Sequence, residues 1–227
     1  MIVCALLLPA LTADGMLVEK ETGSADEDKT MIKLPEPARD GDVSIEEALS
    51  KRRSVRSYAE GPLTLGEVSQ LLWSAQGITS QRGLRAAPSA GALYPLELYI
   101  VVGDVSDLPA GIYRYEPRGH GLVKVAEGDV RADLSAASLR QESVANSAVS
   151  FVFGAVFQRT AAKYGDRAER YVHIEIGHAA ENLHLQAVSL DLGTVMVGAF
   201  QDERVKKVVQ MAADENPLLI MPVGRTD

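Results

Sequence analysis

Residues 167–190 read RAERYVHIEIGHAAENLHLQAVSL, and this stretch decides the fold. At 3.6 residues per turn, Val172, Ile174, Ile176, Ala179, Ala180, Leu183, Leu185 and Val188 go nearly all the way round a helix. A helix that is apolar on most sides is buried on most sides. It is therefore expected at the centre of the molecule, with Gly193 closing it. The chain has 227 residues, 46% of them hydrophobic, enough for one sizeable core. A single domain of that size has difficulty enclosing such a helix alone, so a homodimer is expected.

Working outward, Ser44 with Glu47 and Thr64 with Glu67 each form a capping-box pattern, so helices should start at both. Val68, Leu71, Leu72 and Ala75 give the second of these one apolar face, and Gly77 stops it as a C′ glycine. Leu96–Val102 is a β-rich run. Ile112–Tyr115 and Leu122–Val125 flank Pro117-Arg118-Gly119-His120-Gly121, a hairpin signal. Val130–Leu139 reads as helix and Val149–Phe157 as a buried strand. Thr194–Val197 and Leu218–Val223 read as strands around a short helix at Asp202–Met211. Helices and strands without strict βαβ alternation indicate an α+β class, a central antiparallel or mixed sheet flanked by helices.

Before Ser44 the chain is different. Ile2–Leu11 is almost wholly apolar and reads either as a signal-peptide core without its usual basic leader or as a segment packing on the body. It is too short to span a bilayer. Residues 19–42 are polar and acidic, an extended or disordered arm. The division is therefore 1–43, an N-terminal segment and arm, and 44–227, the folded domain. A cytoplasmic location is expected, with export if residues 1–13 are a signal remnant. With 23 Lys and Arg against 31 Asp and Glu, the net charge is −8. That field repels nucleic-acid phosphates and anionic lipid, so neither is an expected partner. Cys4 is the only cysteine, so redox chemistry here needs a non-thiol carrier.

Against that acidic background, Lys51-Arg52-Arg53-Ser54-Val55-Arg56 concentrates four cations and a hydroxyl. Guanidinium groups match phosphate oxygens in a bidentate fork. The competing reading is a solvated basic helix end. Residues 86–95, AAPSAGALYP, are small enough for the backbone to approach a flat ligand closely, or simply form a tight loop. Lys163 and Tyr164 lie in a charged loop and can move protons if desolvated. No Gly-x-Gly-x-x-Gly follows a strand, which argues against a dinucleotide fold. His178 and His184 diverge by about 120° around their helix, too far for a shared metal. No metal is expected.

Five motifs occur together in order: Arg52-Arg53-Ser54-Val55-Arg56; Pro88-Ser89-Ala90-Gly91-Ala92-Leu93-Tyr94-Pro95; Glu175 to Leu183 in the long helix; Val197-Gly198; and Pro222-Val223-Gly224-Arg225. Together they resemble the nitroreductase superfamily and, within it, the SagB-type dehydrogenases related to thiazoline and oxazoline oxidases. The resemblance runs from Ser44 to Arg225. It implies a homodimer with FMN at the interface and NAD(P)H as an electron donor. Arg52, Arg53, Ser54 and Arg56 would grip phosphate and ribityl from one subunit, and Arg225 would add a phosphate contact. Pro88, Ser89, Ala90, Gly91 and Leu93 would face the ring from the other subunit, and Val197 and Gly198 would line its reactive edge. Lys163-Tyr164 matches the catalytic pair of the azoline oxidases. A small organic or peptide-derived substrate is implied. The chain departs from many nitroreductases in lacking a Glu at Val197 and an Asn near Ala92. A flavin-binding module without turnover, and an anion-binding interaction protein, are the rival expectations.

Overall fold

The computed structural model describes residues 31–226. The apolar stretch Ile2–Leu11 and the polar run to residue 30 lie outside the described residues. Seven strands form one sheet: β1 (Ile32–Lys33), β2 (Leu96–Val102), β3 (Gly111–Glu116), β4 (Gly121–Glu127), β5 (Val149–Ala155), β6 (Leu192–Thr194) and β7 (Asn216–Arg225). Their order is β1-β4-β3-β2-β5-β7-β6, and every neighbouring pair is antiparallel. The α+β class with an antiparallel sheet flanked by helices is what this chain adopts. Leu34 is buried just after β1, so ordered structure begins before Ser44.

The centre of the sheet is β2 paired with β5, in register from Leu96 opposite Ala155 to Val102 opposite Val149. Alternate residues of these strands face two layers, as the period of two requires. Leu96, Leu98, Ile100, Phe151 and Phe153 pack with helices α2 (Leu65–Gln76) and α6 (Ala168–Ser189). Tyr99, Val101 and Val152 point the other way, onto α3 (Arg131–Ala137), α4 (Glu142–Ala145) and α7 (Asp202–Val209). Helices α1 (Ile45–Lys51) and α5 (Phe157–Tyr164) pack on α6 at its two ends. Among the described residues no helix is long and apolar enough to cross a membrane.

Thr64 caps α2 with the full reciprocal box: its hydroxyl accepts from Glu67 N at 3.2 Å, and Glu67 Oε2 accepts from Thr64 N at 2.7 Å. Such a cap stabilises a helix by about 1 kcal/mol. Ser44 accepts from Glu47 N, but Glu47 turns away to Lys51, so only half of that box forms.

Five local expectations are corrected. Gly77 ends α2 in an extended conformation, not a left-handed one. Glycine is needed there because a Cβ would lie 2.2 Å from the Trp73 ring. Lys163 and Tyr164 close helix α5 rather than sitting in a loop, and β5 ends two residues before Phe157. Helix α6 ends at Ser189, and Gly193 lies inside β6, pressed against Val55. Val197 follows β6 and forms only an isolated bridge to Ile220.

Candidate functional site

The cationic segment leaves α1 at Arg52 and runs extended along β6. Val55 N donates to Thr194 O at 2.9 Å, Ala59 N donates to Arg225 O at 3.0 Å, and Tyr58 Oη donates to Pro222 O at 3.0 Å. From α6, the His184 Nε2–H donates to Arg53 O at 3.1 Å. The backbone is thus fixed without using the charges. Burial holds the His184 imidazole below its ordinary pKa. It is neutral, and the bond to a carbonyl assigns the proton to Nε2. Among the described residues its Nδ1 is then a buried acceptor with no partner, and the buried Thr194 Oγ1 has none either.

Lys51 is spent on Glu47 at 2.6 Å, an exposed pair worth little. Arg52 Nε lies 3.9 Å from Glu181 Oε1. Arg53 donates to Ser50 O and Arg52 O, and Arg56 reaches Ser54 O only at 3.5 Å. Among the described residues neither Arg53 nor Arg56 meets a carboxylate. Arg225 is arranged differently. Its fork closes on both Glu67 oxygens at 2.7 and 2.9 Å and on Pro62 O. Burial pushes the Glu67 carboxyl up, but Arg225 and the Thr64 cap outweigh it and hold it below the usual range.

Residues 88–95 form a tight turn on the other side of α6. Tyr94 N donates to Ser89 Oγ at 2.9 Å and Ala92 N to Ser89 O at 3.0 Å. Gly91, Ala92 and Tyr94 all have positive φ (63°, 53° and 48°), which glycine adopts freely and which is strained at Ala92 and Tyr94. Polar groups hold it from behind. Arg85 stacks 4.5 Å over the Tyr94 ring, its backbone N–H donates to Tyr94 Oη, and its guanidinium donates to the buried Gln76 Oε1 at 2.7 Å. From α5, Arg159 donates to Tyr94 O at 3.2 Å and pairs with Glu97. One turn further along α5 come Lys163 and Tyr164. A Cβ built on Gly91 would lie 2.9 Å from Tyr164 Oη and 3.1 Å from Lys163 Nζ. The Tyr164 ring in turn packs edge-on against Tyr171 at 4.9 Å. The structure therefore brings the small-residue loop and the Lys-Tyr pair together.

It does not bring the cationic segment to them within one chain. Glu175 neighbours Ser89 and His184 holds Arg53, nine residues apart on α6. That is about 14 Å along the axis and about half a turn around it. A depression of about 690 Å³ is lined by Arg56, Tyr58, Asp104 and Arg131 among others, and by no residue of the 88–95 loop. Val197 is buried in the core and offers only backbone, while Gly198 is exposed, with nothing within 4 Å of a Cβ. The outer face of α6 carries Ile174, 49% exposed, beside exposed Gly177 and His178. Ile45 and Leu49 on α1 are exposed as well. No cluster of His, Cys, Asp or Glu suited to a metal occurs among the described residues.

Sequence reasoning gave no role to Arg85, Arg159 or Glu175. Each acts through a fold contact with the 88–95 turn, and only the clash of a charge with an apolar run at Glu175 marks any of them.

An antiparallel sheet packs on a central helix, with a cationic edge segment on one side and a turn of small residues on the other. Residues 49–225 match the model of the nitroreductase family, and the chain belongs to that family. A Methanocaldococcus jannaschii protein named as a nitroreductase is 44% identical over 198 residues, covering 87% of this chain and 98% of its own length. A trifolitoxin operon protein of Rhizobium leguminosarum bv. trifolii is 24% identical over 86% of this chain, which spans 59% of that relative. A Ralstonia eutropha crystal structure described as a nitroreductase superposes with a TM-score of 0.76 at 28% identity, covering 97% of this chain and 99% of that one. Two others share the fold alone. A chain of an Escherichia coli microcin synthetase complex has a TM-score of 0.69 at 22% identity and coverages of 96% and 85%. A Vibrio harveyi NADPH:FMN oxidoreductase has 0.59 at 19%, with coverages of 81% and 69%.

Proposed function

We propose that the chain is an FMN-dependent oxidoreductase of the SagB type, working as a homodimer on a small organic or peptide-derived substrate. The observation that carries this is the Arg52–Arg56 segment, whose backbone is fixed by uncharged partners while Arg53 and Arg56 meet no carboxylate among the described residues. Such an arrangement suits a dianionic phosphate. FMN held there would supply a two-electron carrier for hydride-transfer chemistry.

Half a turn of α6 separates the phosphate side from the loop side. One complete site therefore draws Arg52, Arg53, Ser54 and Arg56 from one protomer and Pro88, Ser89, Ala90, Gly91 and Leu93 from its partner, with Gly198 open toward the ring. The exposed Ile174, Ile45 and Leu49 support that second copy. Lys163 Nζ and Tyr164 Oη, held against Gly91 by the Arg159 clamp, take the proton that an azoline-type donor releases as its hydride departs. Arg225 keeps the C-terminal strand seated on Glu67. The trifolitoxin operon relative and the Lys-Tyr pair together support a peptide-derived substrate.

The test is a visible absorption spectrum of purified protein, followed by anaerobic titration with NADH and NADPH. Flavin bands that bleach are expected, and a colourless protein refutes the proposal. Val197 and Ala92 offer no polar side chain to the ring, which favours a second reading, a flavin-binding module without turnover. Flavin bands that no donor bleaches would establish that one.

A further inference from the structure

Glu175 is the least expected charge in the fold. It lies on α6 only 2% exposed, and its Oε1 has no hydrogen-bond partner among the described residues. The turn that follows Ser89 packs on α6, and the neighbours that act on the carboxyl are the Ser89 hydroxyl and the Arg85 charge. Around Arg85 stand Tyr94, Glu97 and, from α5, Arg159. Gln76 faces Arg85 from α2, and Tyr171 and His178 lie one turn away on α6 itself.

Ser89 Oγ already accepts the Tyr94 N–H, so its own proton has two places to go. It turns inward to the carboxylate or outward across the loop. We propose that Glu175 is a positioning residue whose protonation state decides which way the Ser89 hydroxyl donates, and so whether the loop presents a hydrogen-bond donor to the bound ring. An ionised Glu175 captures the Ser89 proton. A protonated Glu175 donates its own O–H to Ser89 Oγ, and the serine proton is turned outward. Burial raises this carboxyl to about 7, against the opposing pull of Ser89 and Arg85, so both states exist near neutral pH. The N–H groups of Ala92 and Tyr94, donating to Ser89 O and Ser89 Oγ, keep Ser89 fixed while its proton turns. The inference rests on the reading that this loop faces FMN.

The test measures FMN dissociation constants by fluorescence quenching from about pH 5.5 to about pH 8.5. Wild type, Glu175→Gln and Ser89→Ala are compared, with circular dichroism confirming that each is folded. The FMN phosphate titrates near pH 6, so the quantity read is the ratio of variant to wild-type constants, in which that titration cancels. The ratio for Glu175→Gln should change by about threefold to tenfold through neutrality, with the wild type gaining affinity on the acid side. Adding Glu175→Gln to Ser89→Ala should produce no further pH-dependent change. A carboxyl carbon resonance missing from Glu175→Gln should titrate over the same range without any flavin. A flat ratio, or a pH effect of Glu175→Gln that persists without Ser89, overturns the inference and leaves FMN binding intact. Wild type that binds no FMN at any pH overturns the underlying reading, and this inference with it.

Discussion

Replacing Gly91 by alanine separates a structural cost from a chemical one. Gly91 has φ +63°, which costs an alanine about 1–2 kcal/mol. For a domain of this length that is a fall of about 2–8 °C in melting temperature. The new methyl would also meet Tyr164 Oη at 2.9 Å and Lys163 Nζ at 3.1 Å, so both tips must move away from the loop. Displacing a reacting group by about 1 Å costs on the order of 100-fold in rate. Gly83 provides the control, because its φ is +77° and nothing would lie within 4 Å of an added Cβ. Both variants should lose similar thermal stability by circular dichroism. In anaerobic stopped flow with a thiazoline-bearing peptide, only Gly91→Ala should slow flavin bleaching, by about 100-fold. Its bleaching by NADH, which yields hydride without releasing a proton, should fall by less than about threefold. Equal rates for Gly91→Ala and wild type, or equal losses in the two glycine variants, would refute the placement of Lys163 and Tyr164 at the reacting centre.

Glu67→Gln should destabilise the fold by about 1–3 kcal/mol in urea melts, since it leaves the half-buried Arg225 fork without its charge partner. The Glu67 carboxyl is held below its usual value, so its stabilisation is fully present above the ordinary carboxylate range and is lost as pH falls through the lowered value. That acid limb should be shallower in the variant, and an unchanged limb would contradict the pairing. Ile174→Asp puts a charge on the exposed face of α6. Sedimentation should show the dimer weakened by about 100-fold, with flavin lost in parallel, because the mutation acts once in each copy. A monomer that retains flavin would show that one chain suffices for the site.

Much of this architecture was legible in the sequence where a single physical signal dominated. The bounds of α6 and the exact run of β2 followed from long apolar patterns, and α2 from its capping box. Helix α5 escaped because Val156 supplies no capping side chain and Phe157 continues the apolar run of β5. β6 was misplaced because Gly193 reads as a helix terminator, whereas its lack of a Cβ serves the close passage of Val55. The site was legible as residue types but not as a place. Nothing local says that Gly91 meets Lys163 and Tyr164, since that contact is made by α5 folding back on the loop. Ile174 and Glu175 invert the usual rule, with the isoleucine half exposed and the glutamate buried. Periodicity assigns both wrongly, because the loop behind Glu175 and the open outer face of α6 are tertiary facts.

The account stands on phosphate capture by the Arg52–Arg56 segment, and the affinity of purified apoprotein for FMN, with and without Arg52→Ala/Arg56→Ala, tests it most directly. Removing the two guanidinium groups proposed to hold the phosphate should raise the dissociation constant by at least about 100-fold, with the fold unchanged by circular dichroism. A double variant that binds FMN within about twofold of wild type would contradict it.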